Sequence, residues 1–236
     1  MLISAPIYHL KRKAKVLART EGMPLHAALD RVAIAEGFQS WSHLTASHAK
    51  KTPAQRILTQ LEAGQMILLG ARPGQGKTLL ALELAMRAAD LGRQGYIFTL
   101  DYHQRDVEAA FETIGSGPGE TQHTVIDTSD DISARYITGR LARDNRHALI
   151  VVDYLQLLDQ KRNHPDLADQ MDTLRAYTTK TGAICVLISQ IDRGFELTGK
   201  EMPDASDVRL PNPFDLSVFD RLFFLHEGKV RMDKAA

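Results

Sequence analysis

The chain has 236 residues, 44% of them hydrophobic and 25% charged, and its 29 basic side chains balance 29 acidic ones. These are the proportions of an ordinary globular protein with enough chain for a sizeable core. No stretch approaches the ~18 uninterrupted apolar residues of a membrane span, and the lone Cys185 has no internal partner for a disulfide.

The charge is unevenly spread. Residues 1–56 carry nine basic and three acidic side chains, a net +6, which leaves −6 for the remainder. Such a front segment either meets an anion, nucleic acid among them, or is a solvated helix face. No apolar segment precedes the basic residues that begin at Lys11, so no secretory signal is read and a cytoplasmic protein is expected. Leu10, Ala14, Leu17 and Ala18 recur on one face of a helix over 8–21. A second helix is expected from Pro24 to Glu36, closed by Gly37, and a third over Ser40–Ser47 with Trp41 and Leu44 inward. The stretch from Ala33 to Leu44 superficially resembles a bacterial helix–turn–helix, although two helices around a glycine turn are a common shape. Residues 1–51 therefore read as a small basic helical module with a protein or nucleic-acid partner, and Lys50-Lys51-Thr52-Pro53 as its linker.

From residue 52 to 236 helices and strands alternate, which predicts an α/β core with a parallel sheet covered on both faces. A helix over 54–62 leads to the apolar run Met66–Leu69, a buried strand. Ala71-Arg72-Pro73-Gly74-Gln75-Gly76-Lys77-Thr78 follows and opens a buried helix over 77–91. This departs from G-x-x-x-x-G-K-[ST] only at its first position. Glycines let backbone N–H groups approach phosphate oxygens, and the helix N-terminus adds its positive end. Lys77 is placed to reach the β- and γ-phosphates of ATP and Thr78 to hold Mg²⁺.

Further strands are expected at 95–100, 123–127, 148–152, 183–189 and 221–225. Helices are expected at 104–114, 131–143 and 165–181, a glycine-rich turn at 115–119 and a polar loop at 191–216. Cys185 lies in the penultimate strand and reads as a small apolar side chain. Asp153 ends the most apolar strand, where ligands of open parallel sheets sit, and is the second candidate ligand for Mg²⁺.

Residues 148–158, Ala-Leu-Ile-Val-Val-Asp-Tyr-Leu-Gln-Leu-Leu, resemble the Walker B segment of DnaB-like replicative helicases. Ala71-Arg72-Pro73, Phe98–Asp101, Ile188-Ser189-Gln190 and Ser206–Arg209 fall in that family's motif order. The resemblance covers roughly 55–228 and implies a RecA-like P-loop ATPase core, DNA (single-stranded or duplex) as partner, and a homo-oligomer. It does not extend to residues 1–50. It also implies residue roles. Asp101 stands where the family carries a water-polarising glutamate, and Gln190 where it carries a γ-phosphate sensor. Lys161 and Arg162 of one loop, and Arg193 and Lys200 of another, would face the nucleic acid. Lys229-Val230-Arg231 spells the finger that completes a neighbour's site, but the hairpin strand that presents it reads as shortened or absent. A nucleotide-dependent switch or adaptor that meets a protein partner is the alternative. A small-molecule kinase lacks its basic lid.

Overall fold

The computed structural model describes residues 7–48, 52–100, 106, 124–142, 147–159, 164–210, 212 and 214–234. The chain divides into two compact units, Met1–Thr52 and Pro53–Ala236.

The first unit has three helices, α1 (Ile7–Glu21), α2 (Leu25–Ala35) and α3 (Trp41–His48). Leu10, Ala14, Ala28, Val32, Ala33, Phe38 and Leu44 close a small core of their own. Pro24 sits in extended conformation as the residue before α2. Gly37 takes φ 87, a left-handed turn that favours glycine, after α2. The Trp41 N–H donates to Asp30 Oδ1 at 2.8 Å, which ties the start of α3 to α2.

The second unit opens with α4 (Pro53–Leu58), shorter than its sequence pattern suggested, and then the strand β1 (Met66–Ala71), buried at every position. Helix α5 (Lys77–Met86) follows and tightens into a 3₁₀ turn over Arg87–Leu91, closed by Gly92 at φ 66. Next come β2 (Gln94–Thr99), β3 (Thr124–Asp127), α6 (Ala134–Leu141), β4 (Ala148–Asp153), α7 (Leu167–Thr181) and β5 (Ile184–Gln190). Ser133 starts α6 by accepting the Tyr136 N–H at 3.2 Å, and Gly182 closes α7 at φ 69. The chain then runs through 3₁₀ turns at Arg193–Leu197 and Ala205–Asp207, inside the stretch expected as a polar loop, and at Leu216–Val218 at its end. Strands β6 (Arg221–His226) and β7 (Lys229–Lys234) end it. The helix expected at 104–114 and the turn at 115–119 lie outside the described residues, Asp106 excepted.

The seven strands order as β3-β2-β4-β5-β1-β6-β7, and every pair is parallel except β6–β7. Alternate residues go to opposite faces. Ile67, Leu69, Val151 and Val186 join α4 and α5 on one side. Met66, Leu68, Val152 and Leu187 join α6 and α7 on the other. A strand covered on both faces reads as a continuous apolar run, which is what β1 and β4 show.

The last strand corrects one expectation. β7 is present and pairs antiparallel with β6 from His226↔Lys229 to Arg221↔Lys234. Glu227 (φ 48) and Gly228 (φ 72) form the two-residue turn between them. A turn with positive φ at both central residues matches the twist of the flanking strands. In the sequence the signal is Gly228, a residue suited to a tight turn.

Candidate functional site

Strands β1, β4 and β5 run parallel, so their carboxyl ends share one edge of the sheet. Ala71 lies opposite Gln190, and Asp153 lies between Thr99 on β2 and Ile188 on β5. The loop from Ala71 to Thr78 leaves this edge. Gly74 (φ 80) and Gly76 (φ 79) adopt left-handed backbone there, and open space surrounds the position of a Cβ on either. The glycines are thus set by backbone sign, not by crowding. Gly76 immediately precedes α5, so the loop ends on that helix's N-terminus.

Lys77 Nζ lies 3.6 Å from Asp153 Oδ1; the carboxylate side chain is 0% exposed and the lysine 11%. A buried carboxylate is costly unless a cation or hydrogen bonds accompany it. The Tyr154 ring adds a face whose centroid is 5.6 Å from the same ammonium. Thr78, next to Lys77 in α5, adds a hydroxyl. A hydroxyl and a carboxylate are both hard oxygen donors, the chemistry Mg²⁺ prefers. Among the described residues no group of three or more His, Cys, Asp or Glu could hold a metal by itself. A cation held by Thr78 and Asp153 would complete its shell with further oxygen ligands, water among them.

The other predicted residues divide in two. Gln190 ends β5 beside the loop, and its carbonyl accepts the Arg209 N–H at 2.8 Å. Arg72, read as part of the phosphate cradle, turns its guanidinium to Glu196 Oε1 (Nε at 2.9 Å) and to the Ile191 carbonyl (Nη1 at 3.1 Å). Gln75 accepts the Glu227 N–H at 2.7 Å. Pro73 is exposed at the loop's crest.

Arg193 is exposed on its 3₁₀ turn, whereas Lys200 Nζ lies 3.0 Å from both Asp204 Oδ2 and Asp207 Oδ2. Those hydrogen bonds raise the Lys200 ammonium above its usual range. The Ser206 hydroxyl, and then Lys200, hold the Asp204 carboxyl down at about 2. Arg231 lies on β7, not on a free tail, and its guanidinium grips Asp233 (Nε 3.1 Å, Nη2 2.6 Å) over the Phe224 ring. Asp101, Lys161 and Arg162 lie outside the described residues.

Sequence reasoning gave no role to Tyr154, Glu196, Gln156 or Glu227. Gln156 Nε2 donates to Ser189 Oγ (3.2 Å) and to the Arg209 carbonyl (2.7 Å), bracing the end of β5. Tyr154 follows Asp153 directly and could have been flagged by that adjacency. Glu196 is 124 positions from Arg72, and nothing local marks the pair.

A seven-stranded, mainly parallel sheet with a glycine loop at the carboxyl edge is the fold of RecA-like ATPase domains. A solved ATPase domain superposes with a TM-score of 0.59 at 19% identity, covering 79% of this chain and 81% of that one. A structure of a DnaB-like replicative helicase, determined with its primase interactions, gives 0.61 at 16% identity over 97% of this chain and 71% of that one. Residues 114–214 match the family model of the DnaB-like helicase C-terminal domain. The replicative DNA helicase DnaB of Haemophilus influenzae is 22% identical over 246 residues, covering 89% of this chain and 52% of the relative. These findings make residues 114–214 similar to the DnaB-like helicase C-terminal domain, and the fold of the second unit similar to ATPase domains. The chain spans about half the length of the curated relatives it matches. No described helix is long and apolar enough to cross a membrane.

Proposed function

We propose that the core binds Mg·ATP on residues 71–78 and hydrolyses it, as a DnaB-like ATPase that acts on DNA in the cytosol and works as a homo-oligomer. The observation that carries this reading is the buried Asp153 carboxylate 3.6 Å from Nζ of Lys77, the residue that follows a loop with two left-handed glycines. In this reading the loop's backbone N–H groups hold the phosphates, and Lys77 swings from Asp153 to the β- and γ-phosphate oxygens. Thr78 and Asp153 hold Mg²⁺, which neutralises charge developing on the phosphates. Asp101 orients the attacking water, and Gln190 meets the γ-phosphate at the end of β5. Lys161, Arg162 and Arg193 face the nucleic acid, with Lys200 beside them.

A specific observation favours the second reading, a nucleotide-dependent switch that meets a protein partner, through residues 1–51 among other surfaces. Lys200 and Arg231 spend their charge on Asp204, Asp207 and Asp233 within the same chain. Fewer cations are then left for a DNA strand or a neighbour's site.

Lys77→Ala should abolish binding of a fluorescent ATP analogue; retained affinity would refute the loop assignment. Phosphate release by the wild type, with and without single-stranded DNA, separates the two readings. Stimulation by DNA supports the helicase-type ATPase, and nucleotide binding without DNA-stimulated turnover supports the switch.

A further inference from the structure

Three contacts join the phosphate loop to two segments remote in sequence. Arg72 Nε and Nη2 each lie 2.9 Å from Glu196 Oε1, and Nη1 reaches the Ile191 carbonyl at 3.1 Å. The neighbouring Phe195 ring is buried and meets His226 edge-on, with centroids 5.1 Å apart and planes at 85°. Glu227, next to His226, donates its N–H to Gln75 Oε1 at 2.7 Å. The Gln75 N–H in turn donates to the Arg72 carbonyl at 3.3 Å. The contacts therefore close on themselves: loop 72–75, turn 193–197, hairpin turn 226–228, and back to the loop.

We propose that Arg72 and Gln75 are positioning residues, not phosphate ligands, and that this ring couples occupancy of the phosphate loop to the turn that carries Arg193. The inference rests on the nucleotide reading above. Its physical basis is reciprocity: if ordering the turn favours the loop shape that accepts phosphate, phosphate must order the turn by the same factor. Each link is weak by itself, since the Glu196 side chain is 61% exposed and its ion pair is screened. A closed ring makes the links interdependent, because opening one frees the others. The left-handed backbone of Glu227 and Gly228 fixes where the Glu227 N–H points, so the hairpin is the rigid arm. The turn at 193–197 is the less enclosed arm, with Arg193, Gly194, Glu196 and Leu197 all exposed.

The discriminating variant is Glu196→Ala in the full chain. The ring predicts that Mg·ATP affinity weakens roughly two- to fivefold, the range of a screened ion pair. A phosphate-binding Arg72 predicts the opposite, because release from Glu196 would leave affinity unchanged or tighter. Arg72→Ala should weaken binding by a similar factor, the double variant no further than either single one, and the charge swap Arg72→Glu with Glu196→Arg should recover it. Amide exchange of the nucleotide-free protein supplies a readout that needs no ligand. Arg72→Ala should speed exchange over 194–198 and at the Glu227 N–H together. Unchanged or tighter binding by Glu196→Ala, or faster exchange confined to 194–198, overturns the ring. If the wild type bound no Mg·ATP, the nucleotide reading would fall, and nucleotide-free exchange alone would decide whether the ring exists.

Discussion

Asp204 shows how far one side chain's chemistry is set by its immediate partners. Its carboxyl accepts from the Ser206 N–H (3.0 Å) and hydroxyl (2.6 Å), and Lys200 stands 3.0 Å away. The hydroxyl is the largest cause of the depression to about 2, ahead of the ammonium. A carboxyl whose folded pKa is depressed stabilises the fold above its unfolded value and loses that contribution as pH falls through the folded value. The cage over 200–207 should therefore hold at neutral pH and come apart from about 4 down to about 2. In a carboxyl NMR titration, Ser206→Ala should raise the Asp204 pKa more than Lys200→Ala does; the reverse order would make charge the main cause. Cys185 behaves oppositely: burial pushes its thiol up to about 12, so it packs as a small apolar group and stays protonated.

Among the described glycines, Gly95 has the least room for a Cβ, at the contact between α5 and β2. A Cβ on Gly95 would stand 1.9 Å from the Ala85 carbonyl oxygen and 2.7 Å from its carbon. Backbone cannot rotate away as a side chain can, so the last turn of α5 sits where only glycine admits it. Gly95→Ala should destabilise the core by about 3 kcal/mol, the upper part of the overpacking range. Urea unfolding checks it. The usual gain from replacing glycine, a less entropic unfolded chain, has the opposite sign, so a more stable variant would show that α5 can shift. This glycine is the second residue of β2, a place that sequence patterning treats as unremarkable.

Across the whole molecule, two sets of apolar side chains do the folding separately. Among the described residues, the core of the first unit draws on Leu10 to Leu44, and the cores on the two faces of the sheet draw on residues from Ala54 onward. A chain beginning at Pro53 should therefore bind Mg·ATP as the full chain does, measured by the same fluorescent analogue. Lost binding would mean that the helical module contributes to the nucleotide site. Leu44→Ala, at a fully buried position of the module, should cost roughly 2–5 kcal/mol there and leave nucleotide affinity alone.

Six of the seven strands, the glycine-rich turn before α5 and the place of Asp153 at a strand end were legible in the sequence, because each depends on a local rule. A strand covered on both faces must be apolar throughout, a left-handed turn favours glycine, and a strand-ending carboxylate stands out from the apolar run before it. β7 does not stand out because Lys229–Lys234 mixes charged and apolar residues and lacks the continuous apolar run of a strand covered on both faces. What no local rule contains is partnership over distance. Arg72 belongs by spelling to the phosphate loop, yet its guanidinium lies with Glu196, 124 positions on. Lys200 and Arg231 read as cations awaiting an anion, yet Asp204, Asp207 and Asp233 hold them. Strand order brings the ends of β1 and β5 side by side and hangs the β6–β7 turn beside the loop, so tertiary structure alone decided which charges meet.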